Sequence, residues 1–160
     1  MTATAEPGAG LPAALAELAE DFSAVTERER LQLLLEISRE LPELPERYAG
    51  HLESMERVDE CQSPLFLAVE VGDDPDRTVR LFFDAPPEAP TTRGFAGILH
   101  EGLDGLPAED VLQVPDDAPY RFGLSAAVSP LRMRGMVAML GRIKRQVRLR
   151  RDALAAGGTA

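Results

Sequence analysis

The chain is poor in the residues that most metal and redox sites need: 160 residues contain one cysteine and two histidines. A single cysteine excludes an internal disulfide and fits a reducing cytosol. A structural zinc site takes about four Cys or His ligands at short spacings, which this chain does not supply. An iron–sulfur scaffold needs several thiolates, so one chain cannot be one. No Gly-rich loop runs into Lys-Ser or Lys-Thr, and no GxGxxG lies between a strand and a helix, so the common phosphate-binding loops are absent. No apolar run approaches the roughly 18 residues of a membrane span. The start, "MTATAEPGAG", has no basic patch followed by an apolar stretch. These absences predict a cytoplasmic protein, neither exported nor membrane-bound.

What is present fits one domain. The apolar fraction of 44% suffices for a core, and 28% charged residues is ordinary for a globular chain. The formal net charge is −10, which disfavours nucleic acid as a partner. The basic residues gather late: Arg132, Arg134, Arg142, Lys144, Arg145, Arg148, Arg150 and Arg151. Such a run is expected to be a solvated helix face, with docking or nucleic-acid binding as the other readings.

Residues 1–10 are small, polar and Gly/Pro-bearing, and are expected to be disordered. A single domain is expected over 11–150, with a flexible tail over 151–160. Leu11, Leu15, Leu18 and Phe22 mark one helical face. Thr26 and Glu29 form a capping box for a second helix, whose apolar side is read as Leu31, Leu34, Leu35 and Ser38 and which "LPELP" ends. "LFLAVEV" and "TVRLFFD" are strand-like runs around the turn-rich "GDDPDR", an antiparallel hairpin. "MERV" (55–58) adds a short third strand. "TTRGFAGILHEGL" reads as a helix whose Gly94 and Gly97 allow close packing against the sheet. "LPAEDVL" starts another at Pro107. Ser129 and Pro130 open the last helix, with Met133, Met136, Val137, Leu140, Ile143 and Val147 as its apolar stripe. The class is therefore α+β: a small antiparallel sheet, hairpin plus short third strand, packed against N- and C-terminal helices.

The lone Cys61 follows Asp59 and Glu60 and precedes Gln62 and Ser63. It admits two readings, a small buried hydrophobe or a nucleophile activated from elsewhere. Its polar flanks, in a loop between the short strand and the hairpin, favour a positioned thiol. His51 is expected on a loop surface and His100 near a helix end. Neither shows a local Cys/His signature, so a free-standing thiol enzyme is disfavoured.

"CQS" opening an apolar strand resembles the Gly-Cys-Gln-Ser signature of the SufE family, sulfur acceptors for cysteine desulfurases. "RLQLLLEISRELPELPE" is similar to that family's second helix and its Leu-Pro-x-Leu-Pro exit. "TTRGFAGIL" falls where the family has a helix starting basic-Gly-Leu. "FGLSAAVSPLRMRGMVAMLGRIK" resembles its closing segment, built on Ser/Thr-Pro-x-Arg and a later Gly. The resemblance runs from about Leu11 to Arg148. Three positions depart from it. Glu60 stands where glycine is usual, Ala127 where a histidine is, and "APPEAP" where acids are frequent, leaving Glu88 nearest.

The resemblance implies a SufE-like fold and a carrier chemistry. Cys61 would take sulfur from the persulfide of a SufS-like cysteine desulfurase, stimulate that enzyme, and relay sulfur toward an iron–sulfur scaffold. Activity beyond this partner-dependent relay, of sulfurtransferase type, is not implied. No cofactor is implied for this chain, since pyridoxal phosphate belongs to the desulfurase. Arg132, from the Ser-Pro-x-Arg motif, is expected to stabilise the thiolate or persulfide. Asp59, Glu60, Gln62, Ser63 and Arg93 are expected to lie in the loop or face the partner. Asp59 and Glu60 should keep the free protein's thiol neutral. The alternative is an adaptor module of the same fold without sulfur transfer.

Overall fold

The computed structural model describes residues 6–157. Its elements run helices, sheet, helices, and the chain is α+β as its pattern of runs implies. Helix α1, Ala13–Ser23, buries Leu15, Leu18, Ala19 and Phe22. Helix α2, Glu27–Arg39, begins with the expected capping box. The Thr26 N–H donates to Glu29 Oε2 at 2.8 Å, and the Glu29 N–H donates to Thr26 Oγ1 at 3.3 Å.

The buried side of α2 is only partly the expected one. Leu34 and Ser38 are inside as expected and Ile37 joins them, whereas Leu31 and Leu35 are exposed. The reason lies in α3, Pro90–Leu103, which packs on α2. A Cβ on Gly94 would lie 2.6 Å from Leu34 Cδ1, and one on Gly97 would lie 2.6 Å from Ile37 Cγ2. Only bare backbone admits so close an approach. These glycines therefore receive α2, and the expectation that they pack on the sheet is corrected.

Strands β1 (Glu56–Arg57), β2 (Phe66–Val71) and β3 (Val79–Asp84) form an antiparallel sheet in that order. The hairpin register runs from Phe66↔Asp84 to Val71↔Val79, and β1 pairs Glu56 with Leu67. In the turn, Asp74 accepts the Thr78 backbone N–H at 3.0 Å and its hydroxyl at 2.7 Å. Helix α4, Ala108–Leu112, starts one residue after Pro107, which caps it. Two 3-10 turns, Ala118–Phe122 and Leu124–Ala126, lead to the last helix and had no periodic signal.

Helix α5, Pro130–Ala155, is capped by Ser129, whose Oγ accepts the Arg132 N–H at 3.3 Å. It buries Met133, Met136, Met139, Leu140, Ile143 and Val147 across β2, while Val137 is only half-buried. Helix α3 lies beside β3 and α5, and α1 and α2 cover its other side. Helix α5 continues five residues past the expected boundary at 150. Residues 6–10 make a turn whose Ala9 carbonyl accepts from Arg121 at 2.7 Å. Residues 1–5 and 158–160, expected to be disordered or flexible, lie outside the described residues. Among the described residues no helix is long and apolar enough to cross a membrane.

Candidate functional site: the Cys61 loop on helix α5

Strands β1 and β2 are joined by a loop that includes residues 59–64, "DECQSP". Val58 and Leu65, both buried, close the neck of this loop: the Val58 N–H donates to the Leu65 carbonyl at 2.9 Å. The Cys61 N–H turns back to the Val58 carbonyl at 3.2 Å. Pro64 has no N–H to give to the ladder, so the chain breaks away there and Cys61 sits in the turn.

The thiol is turned inward. A Cβ placed on Gly135 of α5 would lie 3.1 Å from Cys61 Sγ and 3.6 Å from its Cα. The helix surface under the sulfur is thus bare backbone, and the half-buried Cys61 packs against the core. Burial pushes its pKa up, to about 11; the Glu60 carboxylate adds to the rise and Arg142 opposes it. Loss of a proton from a poorly hydrated thiol beside an anion is disfavoured on both counts. The direction is the expected one, but burial leads, and of the two acids only Glu60 contributes. Asp59 is exposed, 3.6 Å from Arg57.

Glu60 is held by Arg142. Nη2 of Arg142 donates to Glu60 Oε1 at 2.5 Å, Nε donates to Oε2 at 3.2 Å, and Nη1 donates to Glu56 Oε2 at 2.5 Å. Glu56 also accepts from Arg145 at 2.7 Å and from Gln146 at 2.6 Å. The hydrogen bond from Arg142 holds the Glu60 carboxyl below its usual range against slight burial. Burial works against ionisation of Glu56, but its bonds to Arg142 and Gln146 and the charges of Arg145 and Arg142 outweigh it and leave its pKa lowered. Among the described non-glycine residues only Arg77 has positive φ. The backbone before Cys61 therefore does not require the glycine that Glu60 replaces.

The remaining expected site residues are scattered. Gln62 is exposed and Ser63 half-buried, both in the loop. Arg132 is exposed; its backbone N–H caps α5, and among the described residues its guanidinium makes no hydrogen bond or ion pair. The guanidinium that acts on the Cys61 thiol is that of Arg142. Arg93 is half-buried and tied to backbone. It donates to the Ala85 carbonyl at 2.6 Å and to the Ser38 carbonyl at 3.3 Å, joining α3 to the ends of β3 and α2. The basic face of α5 is not simply solvated either: Arg142, Lys144, Arg145 and Arg151 pair with Glu56, Glu60, Asp116 and Glu109.

His51 lies on the surface beside Glu53, and His100 lies 3.9 Å from Asp104 near the end of α3. Among the described residues, no three His, Cys, Asp or Glu side chains gather to hold a metal ion. Sequence reasoning did not assign Glu56, Gly135 or Arg142 to the site: Gly135 appeared only as the later Gly of the Ser/Thr-Pro-x-Arg segment, and Arg142 only within the late basic run.

Comparison with known proteins agrees with this fold. The sequence model of the SufE family, described as the Fe-S metabolism associated domain, matches residues 16–147. An uncharacterized SufE-like protein of Mycobacterium tuberculosis, known from two strains, is 58% identical over 140 residues, covering 88% of this chain and 95% of that one. SufE-like protein 1, chloroplastic/mitochondrial, of Arabidopsis thaliana is 27% identical over 136 residues, 84% of this chain and 35% of its own length. The solution structure of a hypothetical protein from Thermus thermophilus superposes with a TM-score of 0.75 at 40% identity, covering 87% of this chain and 96% of that one.

Proposed function

The chain belongs to the SufE family, with a role in Fe–S metabolism, and from that premise we propose that Cys61 accepts sulfur from the persulfide of a SufS-like cysteine desulfurase and relays it toward an iron–sulfur scaffold. The observation that supports this reading best is the seat of the thiol. A lone cysteine in a short loop, closed at its neck and lying flush on Gly135, is positioned without being exposed.

The transfer is an exchange between sulfurs, analogous to thiol–disulfide exchange. Cys61 Sγ bonds to the outer sulfur of the donor persulfide, and the donor's S–S bond breaks. Its electron pair leaves on the donor sulfur, which takes up the proton that Cys61 gives up. The balance needs no outside oxidant or reductant. The pyridoxal phosphate that removes sulfur from free cysteine belongs to the partner.

With its pKa near 11, the resting thiol is a poor nucleophile at neutral pH and resists indiscriminate oxidation or capping. Docking has to lift the loop off α5, which removes the burial that dominates the shift. The net charge of −10 favours a desulfurase with a basic rim and a faster encounter at low salt.

The test mixes this protein with a cysteine desulfurase and free cysteine and weighs the intact chain before and after reductant. A reducible gain of one sulfur, absent in Cys61→Ser, is expected. Stimulated turnover without sulfur on the chain would leave an activator whose cysteine is not the acceptor. Neither sulfur nor stimulation would leave an adaptor of the same fold.

A further inference from the structure

We infer that Arg142 is a positioning residue for sulfur transfer: its grip on Glu56 and Glu60 latches the Cys61 loop onto α5, and a cationic side chain of the desulfurase opens the latch by competing for Glu60. This inference rests on the carrier reading and names the control of that same site.

The loop is tied down in three places. Its neck belongs to the sheet, through Val58 and Leu65. The other two ties are to α5: Cys61 Sγ on Gly135, and the Glu60 carboxylate on Arg142. Gly135 and Arg142 are two helical turns apart, so the loop lies along one face of the helix. A planar guanidinium fixes the directions of all its donors together. Here Nη1 is committed to Glu56 while Nε and Nη2 are committed to Glu60.

The two carboxylates are not equivalent. Glu56 stands on β1, its side chain 18% exposed, and is also held by Arg145 and Gln146. It is a post that keeps Arg142 in place. Glu60 is adjacent to Cys61 on the loop, and its side chain is 41% exposed against 24% for Arg142. The half of the grip that solvent or a partner can reach is therefore the Glu60 carboxylate, and the group that competes for it is a cation. Protons do not open the latch near neutrality. Both carboxyls lie below their usual range, and hydrogen bonds to Glu60 and Glu56 hold the guanidinium protonated. Asp59 and Arg57, the other charged groups near the turn, are exposed and pair with each other.

The test exploits an opposition of sign. Through its charge alone, Arg142 favours the Cys61 thiolate. Removing that charge without releasing the loop makes the thiol less reactive; releasing the loop makes it more reactive. In the full chain, Arg142→Gln is expected to speed alkylation by iodoacetamide at pH 7.5 on the order of tenfold, the scale of losing a charge-assisted bidentate contact. Its rate–pH profile should move toward the ordinary thiol range. A slower reaction with the profile moved to higher pH, or no change, overturns the latch.

Should Arg142→Gln not fold, Glu60→Gln leaves the bonds of Arg142, Arg145 and Gln146 to Glu56 intact. Amide hydrogen exchange over 59–64 in that variant is expected to quicken about tenfold, with β2 and β3 unchanged; unchanged exchange in the loop overturns the inference. Intact-mass sulfur loading keeps the two readings apart. Faster alkylation with no sulfur on the wild-type chain refutes the carrier reading only. Sulfur on the wild-type chain with neither variant altered refutes the latch only.

Discussion

Two glycines of one helix provide an internal measure of the cysteine seat. Gly135 and Gly141 both lie within α5, and neither has positive φ. A Cβ at Gly141 meets nothing within 4 Å, whereas one at Gly135 lies 3.1 Å from Cys61 Sγ. Replacing an interior helical glycine by alanine gains about 1 kcal/mol of helix propensity. Gly141→Ala should realise that gain, raising the melting temperature by roughly 2–4 °C for a chain of this size. Gly135→Ala starts from the same gain but must push the sulfur outward by a few tenths of an ångström to reach ordinary contact. We expect it to be about 1 kcal/mol less favourable than Gly141→Ala. The remaining neighbours, Cys61 Cα at 3.6 Å and the Glu60 carbonyl oxygen at 3.8 Å, are already at ordinary distances. In a Cys61→Ala background Gly135→Ala should therefore recover the full gain. Urea melts of the two singles, Cys61→Ala and the double variant complete the cycle. A coupling between positions 61 and 135 below about 0.3 kcal/mol would refute the seat, because the two residues would then behave as strangers.

The raised thiol pKa gives a second expectation, with a definite sign. Between about 9 and about 11 the unfolded chain has lost the Cys61 proton while the folded chain retains it, so stability present below that window declines as pH rises through it. Urea melts at pH 8, 9.5 and 10.5 should show a steeper fall for the wild type than for Cys61→Ser, and parallel curves would contradict the burial argument. Arg93 supplies a third: Arg93→Ala removes the donors to the carbonyls of Ala85 and Ser38 and should cost about 1.5–3 kcal/mol in a urea melt. Loss of sulfur loading with an unchanged melt would return Arg93 to a partner-facing role.

The sequence was informative wherever the deciding contact is local. The capping box of Thr26 and Glu29, the alternation of Val79 to Asp84 and the Ser129–Pro130 start of α5 each depend on residues within a few positions. The face of α2 was only half legible: Leu34 and Ser38 were placed inside, but Leu31 and Leu35 fit the helical period as well as Ile37 does. The choice between them is made by notches at Gly94 and Gly97, some sixty residues away in sequence. The site divides in the same way. Cys61 and its polar loop could be read from "DECQSP", and so could the residue departing from the family habit, Glu60. Its partner could not, since Arg142 is 82 positions distant and is one of several arginines on α5. The carbonyl partners of Arg93 were hidden for a related reason. A basic residue in the first turn of a helix looks solvent-facing until the carbonyls it caps are brought beside it.

The glycines of α3 also bear on how the molecule comes together. Gly94, Gly97 and Gly102 each admit a side chain of a neighbouring helix, Leu34, Ile37 and Leu15. Relative to alanine they cost the isolated helix roughly 3 kcal/mol of intrinsic propensity, more than a segment of 14 residues can supply by itself. Helix α3 is thus conditional on its neighbours. It is expected to become helical as α1 and α2 dock and to unravel when they leave. In native-state hydrogen exchange the three helices should open as one unit.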